Sequence, residues 1–237
     1  MKTSFRYKET IVTIICDDGL SNVACNAIMD ARSVIELKIA QDPFFGITYD
    51  SYPPSSKDEE LIRRMCEASV ASGVGPMAGV AGAVAARATE ALVDAGSSVA
   101  IVENGGDIAF YSPGKVPVGI YADHPVFKDM AFMMESERIV GVCSSSRTVG
   151  HSVSLGSSSI STVFSEDVIL ADCCATALGN MVVDTESLAG AVECIGSIEG
   201  VSGCLSCCGD KVAMYGELPE MVPLDIGYPT TPVQITK

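Results

Sequence analysis

Between Gly141 and Gly156 the chain gathers one cysteine (Cys143), one arginine (Arg147), one histidine (His151) and a run of hydroxyls that includes Ser144, Ser145 and Thr148. Imidazole titrates near neutrality, so His151 is a candidate general base. A thiol close to a cation or to a turn of backbone N–H groups loses its proton more readily, which makes Cys143 a candidate nucleophile. The alternatives are a loop histidine with one structural hydrogen bond and a buried strand-end thiol. The segment is too polar for a core element and too punctuated by glycine for a helix. Packing alone does not call for this mixture, whereas a site handling an anionic or nucleophilic group does.

A second set of polar residues lies downstream. Asp172 and Thr176 are four apart, so on a helix they share a face. A carboxylate and a hydroxyl form a hard-oxygen pair suited to Mg²⁺, too small for a full shell unless substrate phosphates and waters complete it. Without a metal, the same residues read as a capping Asp and a Thr bonded to its own backbone. Asn104, Gly105, Gly106 and Asp107 form a turn between two apolar runs. Gly75 and Met77 flank Pro76 just ahead of a small-residue helix, a start whose N–H groups could receive an anion. Neither segment fits the dinucleotide GxGxxG or the P-loop pattern. Cys204 and Cys207 make a CxxC, but a zinc ribbon needs a second such pair, and Cys173-Cys174 is not one.

Composition limits the partners. Fifteen Lys and Arg face 30 Asp and Glu, a formal charge of -15. Nucleic-acid backbones and anionic membrane surfaces need basic stripes, and Arg63-Arg64 is the nearest approach to one. An anionic small molecule remains possible if backbone N–H groups or a bridging divalent metal receive it. The ten cysteines, with no apolar leader before Phe5, point to free thiols in a reducing cytoplasm. The charge-free run Ala68 to Ala86 is broken by Gly75-Pro76 and makes a poor membrane span.

The elements that must carry these residues follow from periodicity. Phe5 to Cys16 reads as one strand, and Ser21 is a candidate N-cap for a helix to Ala40. Lys57 to Ala71 and Met77 to Asp94 read as helices. Two interior glycines in the second cost about 1 kcal/mol each against Ala, which argues that close approach is needed there. Ser98–Glu103 and Ile108–Tyr111 form a hairpin across the Gly-Gly turn. Strands follow at 116–122, 139–143 and 162–164. Helices are expected at 166–180 and 186–195, and strands at 201–204 and 211–215. His124, between Asp123 and Pro125, reads as a turn residue. The mixture argues a single α/β or α+β domain over 1–237, with 217–237 an extended tail.

Five blocks in order give a resemblance. They are Lys8-Glu9-Thr10, Gly73 to Ala78, Val102 to Ile108, Gly141 to Gly156, and Ala171-Asp172 to Asn180. Together they resemble the ApbE-like uncharacterised family of archaea and bacteria, relatives of the ApbE flavin transferases. The resemblance implies an ApbE-like domain with a mixed sheet, hairpins and packed helices. It implies an FAD or FMN ligand, or another nucleotide diphosphate, with Gly105, Gly106 and Asp107 lining its site. It also places Asp172 and Thr176 as Mg²⁺ ligands and His151 beside the incoming hydroxyl. Gly75, Met77, Asn104, Ser144, Ser145 and Thr148 complete the candidate ligand-binding set. Where flavin transferases carry Pro-x-Thr-Gly after the histidine, this chain has Ser-Val-Ser-Leu-Gly156. The resemblance further implies group transfer linked to sulfide assimilation and homocysteine synthesis, with Cys143 a sulfur-carrying thiolate and a sulfur-assimilation protein as partner. The alternative is a non-catalytic sulfur carrier or scaffold. A homo-oligomer is compatible with either.

Overall fold

Alternation of apolar and polar residues builds the sheet. In Thr10–Cys16 the residues Val12, Ile14 and Cys16 are buried while Ile11 faces solvent, the period-2 signature of a strand with one core face. The computed structural model describes residues 1–119, 124, 127, 129–146 and 156–224. Its nine strands, in chain order, are β1 (Lys2–Tyr7), β2 (Thr10–Cys16), β3 (Ala100–Asn104), β4 (Asp107–Gly119), β5 (Met130–Ser145), β6 (Ile160–Ser165), β7 (Val201–Cys208), β8 (Lys211–Gly216) and β9 (Met221–Pro223). The helices are α1 (Ser21–Gln41), α2 (Glu60–Ser72), α3 (Val80–Asp94), α4 (Val168–Met181) and α5 (Leu188–Gly196). A 3-10 turn, Pro76–Gly79, leads into α3.

The sheet runs β1 to β8 in chain order, and β9 pairs with the first residues of β5. The α/β class is as expected, but every described pairing is antiparallel, so the sheet is not mixed. The single strand expected at Phe5–Cys16 is also a hairpin. Tyr7 pairs with Thr10 across a turn in which Lys8 takes a φ of 53°. No glycine or asparagine marks this turn. Helix α1 holds it instead, through Lys8–Glu36 and Arg32–Glu9 contacts, both at 2.6 Å.

All five helices lie on one face of the sheet. There α1 packs on α3, α3 on α4, α4 on β5 and β6, and α5 on β7 and β8. The main core fills this layer and includes Ile14, Val102, Ala109, Cys143, Val163, Ile169 and Leu178. A second cluster, with Phe110, Phe127, Phe132, Phe164 and Leu205, covers the far face under the long β4–β5 arm. His124 is a turn residue, its carbonyl accepting the Phe127 N–H at 3.0 Å, and its ring is buried in this region beside that of Phe127. The expected tail at 217–237 begins tied to the sheet through β9, and residues 225–237 lie outside the described residues. Among the described residues no single helix is long and apolar enough to cross a membrane.

Candidate functional site

Helix α4 reads Val-Ile-Leu-Ala-Asp-Cys-Cys-Ala-Thr-Ala-Leu-Gly-Asn-Met, and it is buried on nearly every side. Such a helix occupies the centre of a core. Its N-terminus is capped by Asp167, whose Oδ1 accepts from the N–H groups of Ile169 and Leu170 at 2.8 and 3.2 Å. Asp172 sits one turn further in, only 5% exposed. Thr176 follows on the same face and is half-buried, as the four-residue spacing predicts.

Asp172 reaches its position because α3 comes close. A Cβ on Gly82 would lie 2.8 Å from the Val168 carbonyl oxygen and 2.9 Å from the Asp172 Cβ. A Cβ on Gly79 would meet the Cys173 sulfur at 2.7 Å. Both are closer than real side-chain carbons approach, so glycine is required. The start of α3 has no capping side chain of its own. Asp172 Oδ2 accepts the Gly82 N–H at 2.7 Å, with the Ala81 N–H also directed at the carboxylate. Asn104 Nδ2 donates to the Ala81 carbonyl at 3.1 Å, gripping the same turn from the sheet.

The sheet supplies a second carboxylate. Gly105 and Gly106, with φ of 69° and 109°, close the β3–β4 hairpin, a turn that requires positive φ at both positions. Asp107 is thereby placed on the helix-facing side at the start of β4, 8% exposed and in register with Cys143 on β5. Its Oδ1 accepts the Ser144 N–H at 3.3 Å, and Cys143 is its neighbour across the β4–β5 ladder. Burial raises the Asp107 carboxyl to about 7, against the pull of the Ser144 N–H and the nearby thiol. Burial and then the charge of Asp107 push Asp172 well above the ordinary carboxylate range, against the α3 N–H groups. Among the described residues no ion pair reaches either carboxylate.

The sequence-based candidates sort by this geometry. Asn104, Gly105, Gly106, Asp107, Cys143 and Asp172 converge where β3, β4 and β5 meet α3 and α4. Cys143 does not present a thiolate. It is fully buried, and burial followed by the charges of Asp107 and Asp172 holds its thiol well above the usual value. Ser144 points to the far face, where its hydroxyl bonds Thr162 at 2.8 Å, and it serves the site only through its N–H. Ser145 is on the helix face, 4% exposed, with no hydrogen-bond partner for its hydroxyl among the described residues. Gly75 is accounted for by packing, because a Cβ there would overlap the Thr48 carbonyl, and Met77 is half-buried in the 3-10 turn beside it. Thr148 and His151 lie outside the described residues. Cys204 and Cys207 sit within β7 on opposite faces, in the helix-side and far-side cores respectively, so the CxxC cannot close on one ion. The sequence did not reveal the Ala81 and Gly82 N–H groups as partners of Asp172. The two helix glycines were the signal, and their partner is 90 residues away.

The architecture superimposes on flavin transferase ApbE from Vibrio cholerae with a TM-score of 0.60 at 12% identity, covering 91% of this chain and 96% of that one. For Pseudomonas stutzeri flavinyl transferase ApbE the TM-score is 0.57 at 13% identity, covering 91% and 93%. The fold is therefore of the ApbE type. A family model described as AbpE bacteria matches residues 2–193. A UPF0280 protein of Methanocella arvoryzae is 43% identical over 225 residues, 94% of this chain and 92% of that protein. Another, of Archaeoglobus fulgidus, is 41% identical over 222 residues, 92% of each. The chain belongs to this ApbE-like family.

Proposed function

We propose that this protein binds a flavin dinucleotide together with Mg²⁺ and acts in flavin-related group transfer. The observation that carries the reading is the buried pair Asp107 and Asp172, which share a low-dielectric site with no countercharge among the described residues. Two carboxylates held this way take up a proton or a cation. The donor set fits Mg²⁺, being hard oxygens only: Asp172 and Thr176 would hold the ion, and Asp107 would add charge nearby. The orphaned Ser145 hydroxyl fits a missing ligand oxygen, since a buried unpaired hydroxyl costs about 1–3 kcal/mol. When bound, Mg²⁺ would offset the charge of a diphosphate in a chain that itself carries -15.

In the transfer an acceptor hydroxyl forms a new P–O bond to the flavin phosphate. The diphosphate P–O bond breaks, AMP leaves, and the hydroxyl proton passes to a base, the role proposed for His151. Support for flavin as the ligand comes from the ApbE-type fold, which this chain shares with flavin transferases. The proposed sulfur-assimilation context and cytoplasmic setting draw support from ten free thiols. A carrier thiol would have to be Cys194 or Cys25, because the other eight are buried.

Thermal-shift titration with FAD, FMN and AMP, each with and without Mg²⁺, tests the reading. Stabilisation by FAD that needs Mg²⁺, with AMP released on incubation, is expected. No shift with any of the three nucleotides would leave the non-catalytic scaffold as the better account.

A further inference from the structure

Two hydroxyl pairs cross the ladders beside Ser145 and are closed, while Ser145 itself is open. On the far face Ser144 and Thr162 meet across β5 and β6 at 2.8 Å. On the helix face Ser161 and Ser206 meet across β6 and β7, also at 2.8 Å. Ser145 and Ser161 are direct partners on that same helix face, where opposed Cβ atoms lie about 4.5–5.5 Å apart. Yet the Ser145 hydroxyl, in a residue 4% exposed, has no hydrogen-bond partner among the described residues. A buried hydroxyl left this way costs free energy until something bonds it. A serine kept only for packing would close on Ser161 as Ser144 closes on Thr162.

The row also has a direction. Ser206 Oγ donates to the Ile160 carbonyl at 3.1 Å. That uses its one hydrogen, so the Ser161 hydroxyl is the donor to Ser206. Both serines are fully buried. Towards Ser145, Ser161 therefore offers lone pairs only. A group seated between Ser145 and Ser161 must donate to Ser161 and can accept from Ser145. A hydroxyl does both, whereas a phosphate oxygen only accepts.

We propose that the gap between Ser145 and Ser161 is a hydroxyl subsite, seating one hydroxyl of a sugar or polyol chain esterified to the diphosphate. Ser145 stands two residues beyond Cys143, the ladder partner of Asp107, and so about 7 Å further along β5. That is the step from a phosphate to a hydroxyl of the chain it esterifies. The subsite rests on the flavin reading above for the identity of its ligand. The open pair and the direction of the row do not.

The first test needs no ligand. Ser206→Ala removes a bonded hydroxyl and should lower the melting temperature, whereas Ser145→Ala removes an unbonded one and should not. A fall in Ser145→Ala equal to that in Ser206→Ala would overturn the proposal, because Ser145 would then be bonded within the protein. The second test is calorimetric titration, with Mg²⁺ present, of FAD and of FAD deoxygenated at single positions of its polyol chain or of its ribose. One analogue should bind the unaltered protein about fivefold more weakly than FAD does. Ser145→Ala should bind that analogue and FAD equally. The analogue that behaves so identifies which chain supplies the hydroxyl. Analogues that all match FAD in the unaltered protein would overturn the proposal. Absence of FAD binding in the unaltered protein would count against the flavin reading alone, because the melting comparison is made without ligand.

Discussion

Two regions of this molecule bury carboxylates, and they treat them in opposite ways. Beneath the loop that follows α1, Lys38 Nζ lies 2.9 Å from Asp58 and 3.8 Å from Asp42. It also stands 5.6 and 5.5 Å from the Phe45 and Tyr52 rings. Burial lowers the Lys38 ammonium, but the bond to Asp58 together with the charges of Asp58, Tyr52 and Asp42 makes the net shift upward. One ammonium there serves two carboxylates, and the cluster ties the 42–58 loop to α1. At the Asp107–Asp172 site the donors are neutral backbone N–H groups, and both carboxyls are shifted up by burial. A carboxylate with a cation beside it serves the fold, whereas two buried carboxyls without one cost stability, which is the ground for the proposal that they receive a ligand.

The contrast breaks most visibly at Lys38. Lys38→Met leaves Asp58, whose side chain is only 7% exposed, without its cation, the Ser55 N–H remaining as a donor. We expect about 3 kcal/mol of stability to be lost in urea unfolding. Asp172→Asn should show no comparable loss in ligand-free protein near pH 8, because it keeps an acceptor for the α3 N–H groups and removes an unmatched charge. A loss as large as that of Lys38→Met would mean that the Asp172 charge is structural.

A smaller effect is expected at Gly82→Ala. The new methyl would be forced against the Val168 carbonyl and Asp172, costing about 1–3 kcal/mol. An unchanged melting temperature would show that α3 can retreat from α4.

The third comparison is made with pH. Asp107 is raised to about 7, while an unfolded Asp titrates near about 4. Across that interval the folded protein holds a proton that the unfolded chain has released. The contribution of this group to stability therefore falls as pH rises through the interval. Melting temperature should decline from pH 5 to pH 8 in the unaltered protein and decline less in Asp107→Asn. A slope unaffected by the substitution would place the titration elsewhere.

The least perturbing test is alkylation of the native protein. Iodoacetamide should label Cys194, the exposed thiol, and leave Cys143 unmodified. Rapid labelling of Cys143 would reopen the nucleophile reading.

Much of the fold was legible because local signals agreed with tertiary structure. The Gly-Gly hairpin, α1 and α4 fall close to where periodicity and turn chemistry put them. The β1–β2 turn was missed because it is made by ion pairs to α1 and carries no turn residue. Strand β5 extends well beyond 139–143, because its first half is an arm studded with Glu135, Glu137 and Arg138 that reads as loop. At the site, alternation along β5 separates the neighbouring hydroxyls: if Cys143 faces the helices, so must Ser145, and Ser144 must not. The same rule separates Cys204 from Cys207. The contact between Asp172 and Gly82 was beyond sequence reading, since the two small residues that permit it state only that something approaches.

Asp107 and Asp172 are proposed to receive a cation and a diphosphate. Calorimetric titration of FAD with and without Mg²⁺, in the unaltered protein and in Asp172→Asn, tests it most directly. The account predicts at least about tenfold tighter binding with Mg²⁺, an enhancement lost in the variant. FAD affinity indifferent to Mg²⁺ in the unaltered protein would contradict it.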